Sequence, residues 1–324
     1  MNRAEIRSKN LKGLFPNARI RLLKNYKTFH SEILLYEIGY FGRNNRTNKR
    51  VIVKYFNTTT FEEIKRQFEY QSRFSEKCTD FRISTPKPLY LDADNKMTVM
   101  EYVEGANLKH LLTKIKPVNK NYLNDLLDLT AISLAVYHKL FMVSETREIK
   151  INSPLLENNV IENAMKKGIL LDTCGINFKV VAFLDFTPGN VIVEKQGKKI
   201  SLIDFPQFES VSTPHLDLAR FRFSLKIIKQ YPILRFHISN WWTVDSVYDR
   251  FLEKYCQEMN FTPNTEDAIF IEFLEGEYAR KLQYLYNSHL QIANKFRFRL
   301  TLEKYYMMPF LRNLLGSDKS HSPF

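Results

Sequence analysis

Two short apolar strands, each with an acid at one end, constrain the fold of this chain most strongly. The first follows Asp185 and Asn190 in FLDFTPGNVIV (residues 183–193), and the second precedes Asp204 in ISLIDFPQF (residues 200–208). The polar stretch EKQGKK between them predicts a tight hairpin. The paired strands would therefore present three oxygen-bearing side chains, and such hard ligands suit Mg²⁺ held together with substrate phosphates.

The rest of the chain divides into a strand-rich block and a helix-rich block. In the first hundred residues, runs such as RVIVKYF predict strands, and Thr60 with Glu63 has the capping-box spacing that begins one helix. From Glu104 onward, apolar residues recur mainly at helical spacing. Strands first and helices later predict an α+β protein with a small antiparallel sheet lobe, residues 1–103, and a larger helical lobe, residues 104–324.

Charge and composition narrow the partners and the compartment. The formal net charge of +13 and the pI of about 9.4 favour nucleotides, phosphorylated glycans, nucleic acid or an anionic membrane surface. Three scattered cysteines fit a reducing compartment better than a disulfide framework. No apolar run opens the sequence, and the stretch AISLAVYHKLFMV is too short to span a bilayer. We therefore expect a cytoplasmic protein, and peripheral contact with the inner face of a membrane stays open.

A lysine inside an apolar strand supplies the next chemical group. Lys54 lies within VIVKYF, where its ammonium is costly to bury unless it meets an anion. Glu69 on the following helix could be that anion, whereas Glu62 and Glu63 are explained by capping and the helix dipole. A lysine for phosphates, oxygens for magnesium and one spare carboxylate for a hydroxyl are the components of phosphoryl transfer. Each residue alone also has a structural interpretation, such as a snorkelling lysine or a turn asparagine.

The order of these segments resembles a known superfamily. LDFTPGNVIV is similar to a catalytic loop that often reads His-Gly-Asp-x-x-x-x-Asn, and LIDFPQF looks like the magnesium-binding segment. TPKPLYL and VMEYVEGANL resemble the run before the hinge and the hinge itself, and PHLDLARF resembles an Asp-Leu-Ala stretch that follows. Over roughly residues 25–225 the chain thus resembles the protein-kinase-like superfamily, in its aminoglycoside phosphotransferase, choline kinase and lipopolysaccharide kinase branch.

The resemblance implies a bilobal protein-kinase-like fold, ATP and Mg²⁺ as cofactors, and a role for each residue. Lys54 would hold the α- and β-phosphates and pair with Glu69. Asp185 would orient the attacking hydroxyl, while Asn190 and Asp204 would bind magnesium. The hinge would present backbone groups to adenine, and its residues are Met100, Glu101, Tyr102 and Val103. Asp217, in PHLDLARF, would brace the catalytic loop.

Two segments depart from the family pattern. Phe183 and Leu184 stand where the family has His-Gly, so a phenylalanine would occupy a drier core there. No G-x-G-x-x-G covers the phosphates; the best candidate loop is KTFHSE, where Ser31 or Lys27 would contact them. These departures keep a second hypothesis open, a pseudokinase that binds nucleotide or a partner without catalysis.

The acceptor is constrained mainly by charge. NKFRFRLTLEKYY interleaves bases with aromatic residues, and the predicted C-terminal helices carry more bases than acids. This surface is either a solvated helix face or one that attracts anions. It fits a phosphorylated or acidic sugar, a small molecule or a glycolipid better than a polycationic aminoglycoside. A nucleic-acid-binding protein is the least favoured hypothesis, because only charge and aromatic content support it.

Overall fold

The computed structural model describes most of the chain as two compact units. The described residues are 11–27, 31–41, 46–113, 119–144, 146–153, 155–169, 171–176, 178–194, 198–230 and 242–292. One unit comprises the described residues up to Cys78 together with Ser84–Glu104, and the other comprises Thr79–Ile83 and the residues from Gly105 onward.

The first unit contains a five-stranded antiparallel sheet in the order β1-β2-β3-β6-β5. Its strands, numbered along the whole chain, are β1 (Arg19–Lys27), β2 (Ser31–Phe41), β3 (Arg46–Phe56), β5 (Pro88–Asp92) and β6 (Met97–Glu101). The strand prediction for this block is confirmed, with one difference at β3. The run RVIVKYF predicts a strand from Arg50, but β3 begins at Arg46, because its ladder with β2 continues to the pair Phe41 and Arg46.

One helix accompanies this sheet, as the sequence predicts. Helix α1 (Phe61–Lys77) begins at the N-cap Thr60, whose side chain and that of Glu63 form the expected capping box. Its buried residues are Ile64, Gln67, Gln71 and Phe74. A separate apolar core joins the helical residues 11–14 to the sheet, with Leu11 fully buried among Ile38, Val51 and Val99.

The second unit is mainly helical, which confirms the other half of the prediction. Its helices are α2 (Leu108–Leu112), α3 (Lys120–Leu140), α4 (Val160–Lys166), α5 (His215–Gln230), α6 (Val244–Met259) and α7 (Thr265–Ile292). Its strands are β4 (Ile83–Ser84), β7 (Gly105–Asn107), β8 (Met142–Val143), β9 (Lys179–Val181), β10 (Val191–Glu194), β11 (Ile200–Leu202) and β12 (Val211–Ser212). The basic segment predicted to be helical beyond residue 292 lies outside the described residues.

Small sheets position the loops of this unit. One has the order β4-β11-β10-β7 and another the order β12-β9-β8. Strand β7 can approach β10 closely because it begins with a glycine: a Cβ on Gly105 would lie 2.2 Å from the carbonyl oxygen of Val193. The hairpin β10–β11 is the one that the sequence predicts, with Val191 opposite Leu202.

Helix α3 runs through the core of the second unit. Twelve of its side chains are buried, and Tyr137 on this helix lies in an aromatic cluster with Phe183 and Phe205. The three cysteines are free thiols. Within the described ranges, no helix combines the length and the apolar character needed to cross a membrane.

Candidate active site

A buried carboxylate fixes the turn that carries Asp185. Oδ2 of Asp217, on α5, accepts a hydrogen bond from the Phe183 N–H, and Oδ1 accepts one from the Leu184 N–H, both at 2.7 Å. His138 on α3 adds a third donor, with Nε2 3.0 Å from Asp217 Oδ2, and the side chains of His138 and Asp217 are fully buried. Asp217 therefore braces this loop, as the resemblance implies.

The histidine of this network is itself held from the other side. His138 Nδ1 lies 2.7 Å from the hydroxyl oxygen of Tyr255 on α6. Burial, and then the nearby Asp217 charge, raise the pKa of Tyr255 well above its ordinary value, so the phenol stays protonated. Because Nε2 faces a carboxylate, it carries the proton, and Nδ1 accepts from the Tyr255 hydroxyl. His138 therefore packs in the core of the unit and also orients Asp217.

Phe183, which stands where the resembling loop has a histidine, occupies an apolar position. Its side chain is 1% exposed, and its ring centroid lies 5.1 Å from that of Tyr137, 5.3 Å from Phe205 and 5.7 Å from Phe186. The side chain that donates a hydrogen bond to Asp217 is that of His138, on α3. Position 183 is therefore an apolar packing position in a dry core, as predicted.

Asp185 projects from this fixed turn and is half exposed, at 52% of its side-chain surface. The amide nitrogen of Asn190 donates to the Asp185 backbone oxygen at 2.9 Å and to Oδ2 at 3.0 Å. Arg220 on α5 donates Nε–H and Nη2–H to Oδ1 at 3.1 and 2.7 Å. Both carboxylate oxygens are thus oriented by side chains, while the group remains accessible.

Arg220 was not predicted as a site residue. It lies three residues after Asp217, which places both side chains on neighbouring positions of one helix face. That spacing was the signal available in PHLDLARF, and it would have indicated that Arg220 faces the same loop.

The two predicted magnesium ligands lie at the same end of one hairpin. The carbonyl oxygen of Asn190 accepts a hydrogen bond from the Ile203 N–H at 3.0 Å. Asn190, before β10, and Asp204, after β11, therefore lie at the same end of the paired strands. Asp204 is exposed and has a positive φ of 55°. Since the Asn190 amide nitrogen faces Asp185, its side-chain oxygen is the atom available to a cation. An amide oxygen and a carboxylate form a donor set that fits Mg²⁺.

In the first unit, the structure buries the predicted phosphate-binding lysine. Lys54 is 9% exposed in the middle of β3, with Ile33 and Thr98 opposite it on the neighbouring strands. Its Nζ lies 5.1 Å from the ring centroid of Phe56. Burial of this kind requires compensation for the ammonium, which favours the anion-binding interpretation over a lysine snorkelling into solvent.

Glu69 does not make the contact that we expected. Its side chain is 61% exposed, and its Oε1 lies 3.9 Å from Lys65 Nζ rather than at Lys54. The physical reason is the phase of α1: position 69 is five residues, or about 140°, from both Ile64 and Phe74, which mark the buried face. The prediction that Glu69 pairs with Lys54 is therefore wrong.

Two glutamines occupy the buried face of α1 instead. Gln67 and Gln71 are 6% and 4% exposed. Gln71 Nε2 donates to the Pro86 carbonyl oxygen at 2.6 Å and lies 3.8 Å from the sulfur of Met100. This contact joins the helix to the start of the predicted hinge.

Backbone hydrogen bonds define which hinge groups are available. The Glu101 N–H donates to the Lys87 carbonyl at 2.9 Å, and the Tyr102 N–H donates to the Arg50 carbonyl at 3.1 Å. Within the described part of the chain, no backbone acceptor contacts the Val103 N–H. Val103 is therefore the hinge residue best able to donate to a base.

The predicted phosphate loop corresponds to the β1–β2 connection. Ser31 is the first residue of β2 and is 6% exposed, and Lys27 ends β1 with its Nζ 3.8 Å from Glu32 Oε1. Thr28–His30, the middle of the predicted loop, lie outside the described residues.

A second buried histidine belongs to a structural network. Asp267 accepts four hydrogen bonds, from Nε2 of His215 and from the backbone N–H groups of Gly175, Ile176 and Asn264. Burial lowers the pKa of His215, and the hydrogen bonds from His215 and Asn264 lower that of Asp267 although burial opposes this. Burial raises the pKa of the adjacent Cys174 thiol to about 11. A protonated thiol beside a carboxylate with four donors is a poor metal site, so the role of His215 is structural.

Comparisons with known proteins identify the fold. No family model matches this chain, and no curated protein matches it. A crystal structure from Ralstonia eutropha, described as a candidate aminoglycoside phosphotransferase, matches with a TM-score of 0.62 and 11% identity over 99% of both chains.

Two further solved structures match less closely. The macrolide 2'-phosphotransferase MphH of Brachybacterium faecium has a TM-score of 0.51 and 10% identity, over 86% of this chain and 91% of its own. An aminoglycoside phosphotransferase of Streptomyces rimosus, solved with ADP and streptomycin, has a TM-score of 0.50 and 12% identity, over 86% and 99%. The chain has the kinase-like fold of this branch, as the sequence motifs predicted.

Proposed function

We propose that this protein is an ATP- and magnesium-dependent phosphotransferase that moves the γ-phosphoryl group to a hydroxyl of a small molecule, sugar or glycolipid. The observation that carries this proposal is the placement of Asp185. A buried carboxylate fixes its backbone, two donor side chains orient its oxygens, and half of the side chain stays exposed. A carboxylate held in this way can accept a hydrogen bond from a hydroxyl and align its oxygen for in-line attack.

The remaining residues are assigned by their chemistry. Lys54 would pair with the α- and β-phosphates, and Ser31 would contact phosphate at the β1–β2 connection. Asn190 and Asp204 would hold magnesium, which when bound neutralises charge on the transferred phosphoryl group. Val103, with Met100, Glu101 and Tyr102, would receive adenine. Glu69 is assigned to nucleotide binding only on the sequence resemblance, since its carboxylate contacts Lys65.

The acceptor is proposed to be anionic. The net charge of +13 creates a field that concentrates anions, and an acidic or phosphorylated sugar would gain from it. For a protein in the cytoplasm, the same charge supports peripheral contact with the anionic inner face of a membrane. The matched phosphotransferases are named for chemically different acceptors, so the fold is compatible with such a substrate.

Nucleotide binding is the first test. Millimolar Mg-ATP should raise the melting temperature of the wild-type protein, because a ligand that binds only the folded state stabilises it. Lys54→Ala should remove most of this shift. Lys65→Ala is the matched control, since it removes a half-exposed lysine from α1 and should leave the shift unchanged. An unchanged melting curve for the wild type would contradict the proposal.

Phosphoryl transfer is the second test. Labelled ATP is incubated with acidic sugars, lipid-linked glycans, neutral sugars and aminoglycosides, and labelled products are separated. Asp185→Asn should keep the Mg-ATP melting shift but lose product formation by on the order of a thousandfold. A variant as active as the wild type would remove Asp185 from the mechanism.

A pseudokinase is the second candidate. The exposed position of Glu69 and the absence of a G-x-G-x-x-G sequence favour it. A normal Mg-ATP shift together with no labelled product from any acceptor would support this alternative.

A further inference from the structure

Arg220 lies beside the proposed catalytic carboxylate and is more buried than it. Its guanidinium donates two hydrogen bonds, of 3.1 and 2.7 Å, to a single oxygen of Asp185, Oδ1. The Arg220 side chain is 16% exposed, compared with 52% for Asp185. Asp185 is therefore the more accessible member of this ion pair.

The guanidinium is held rigidly in this position. It lies 5.7 Å from the ring centroid of Tyr278 on α7, and the Tyr278 hydroxyl donates to the Leu216 carbonyl at 3.3 Å. An arginine that stacks on a buried ring loses less conformational entropy when it binds a further group.

Part of the hydrogen-bonding capacity of Arg220 is unused. A guanidinium has five N–H donors, and Asp185 takes one from Nε and one from Nη2. Among the residues that the structure describes, no acceptor contacts Nη1. A planar group with spare donors matches the geometry of a carboxylate or a phosphate.

We infer that Arg220 is a specificity residue that binds a carboxylate or phosphate group of the acceptor, next to the hydroxyl that Asp185 orients. This inference rests on the proposed function. A hydroxyl hydrogen-bonded to Asp185 and an anion hydrogen-bonded to Arg220 would lie about 5–6 Å apart, which spans neighbouring substituents of one sugar ring. A cationic acceptor would meet the positive charge of Arg220 at the same point.

The test uses four sugars that share one ring and differ in charge. Glucose is neutral, glucosamine is a cation, and glucuronate and glucose 1-phosphate are anions. Each is titrated calorimetrically into the Mg-ADP complex of the wild type and of Arg220→Gln, Arg220→Lys and Arg250→Gln. Arg250 is the matched control, because it forms a similar pair with Asp128, at 2.7 and 2.5 Å, and its side chain is 40% exposed.

The expected result is a change in selectivity rather than in general binding. The wild type should bind at least one of the two anions tenfold or more tightly than glucose, and glucosamine more weakly. Arg220→Gln should abolish this preference, measured as the ratio of the affinity for the anion to the affinity for glucose. Arg220→Lys should keep part of it, since the charge remains but the fork is lost. Arg250→Gln should behave as the wild type.

Two outcomes overturn the inference. One is a wild-type protein that binds neither anion more tightly than glucose, and the other is a preference for anions that survives in Arg220→Gln. The Mg-ATP melting shift, measured on every variant, separates this failure from a failure of the proposed function. A normal shift without anion selectivity rejects only the role of Arg220, whereas no shift in the wild type rejects the nucleotide-dependent activity as well.

Discussion

Replacing Asp217 by asparagine should destabilise the second unit far more than the same change at Asp185. Asp217 accepts three hydrogen bonds in a fully buried position, from the Phe183 and Leu184 N–H groups and from His138. Asparagine keeps one acceptor oxygen and replaces the other by an amino group. If the oxygen takes the Oδ2 position, the amino group faces the Leu184 N–H, which then has no acceptor.

The size of the effect follows from these contacts. One orphaned buried donor costs about 1–3 kcal/mol, and two hydrogen bonds that lose the charge of their acceptor each weaken by about 0.5–1.5 kcal/mol. The expected loss is therefore about 2–6 kcal/mol, a large fraction of the typical stability of a domain. At Asp185 the carboxylate is half exposed, so its loss should cost about 1 kcal/mol or less.

Urea unfolding followed by tryptophan fluorescence measures this difference. The only two tryptophans, Trp241 and Trp242, belong to the second unit by sequence, so their signal follows that unit. Equal dependence of the unfolding free energy on urea in all proteins shows that the same surface is exposed. If the two variants differ by less than about 1 kcal/mol, the network around Asp217 does not have the energetic role assigned to it.

Three further results are expected. Gly105→Ala should lower the free energy of unfolding by about 1–3 kcal/mol, because its Cβ would lie 2.2 Å from the Val193 carbonyl oxygen; equal thermal stability would show that β7 can shift. Gly276→Ala, in α7, has no atom within 4 Å of the new Cβ and should instead stabilise by about 0.5–1 kcal/mol. Burial lowers the pKa of His215, so below about pH 6.5 the unfolded state binds a proton that the folded state does not. The free energy of unfolding should therefore fall as the pH drops, by up to about 1.4 kcal/mol per pH unit. His215→Gln should remove that part of the pH dependence, and an unchanged slope would contradict the assignment.

The features that the sequence predicted depend on neighbours along the chain. The capping box at Thr60 and Glu63 involves residues three apart, and the long apolar run of α3 predicts that this helix is buried. The hairpin that brings Asn190 and Asp204 to one end needs only a short polar turn between two apolar strands. These signals suffice for the order of elements and for placing Asn190 and Asp204 at one end of a hairpin.

What the sequence did not predict depends on which side of an element faces inward or on contacts between distant segments. Glu69 was the candidate partner of Lys54 because capping explained Glu62 and Glu63. Glutamines instead occupy the buried face of α1, and polar side chains give no apolar periodicity. Arg220 and Asp185 are 35 residues apart, and their contact arises only after α5 packs on the loop. Residue types predicted a kind of chemistry, whereas packing decides which side chains lie together.

The left-handed backbone of Leu184, with φ at 69°, bears on how such proteins are recognised in genomes. The resembling loop has glycine at this position, which adopts that conformation freely, whereas leucine there costs about 1–2 kcal/mol. The two hydrogen bonds from Phe183 and Leu184 to Asp217 are sufficient to offset such a cost. Evolution can therefore erase the glycine from this motif while the turn persists, as long as the distant aspartate remains. Searches for remote members of this fold should give less weight to His-Gly before the loop aspartate and more to a carboxylate about 32 residues downstream of it.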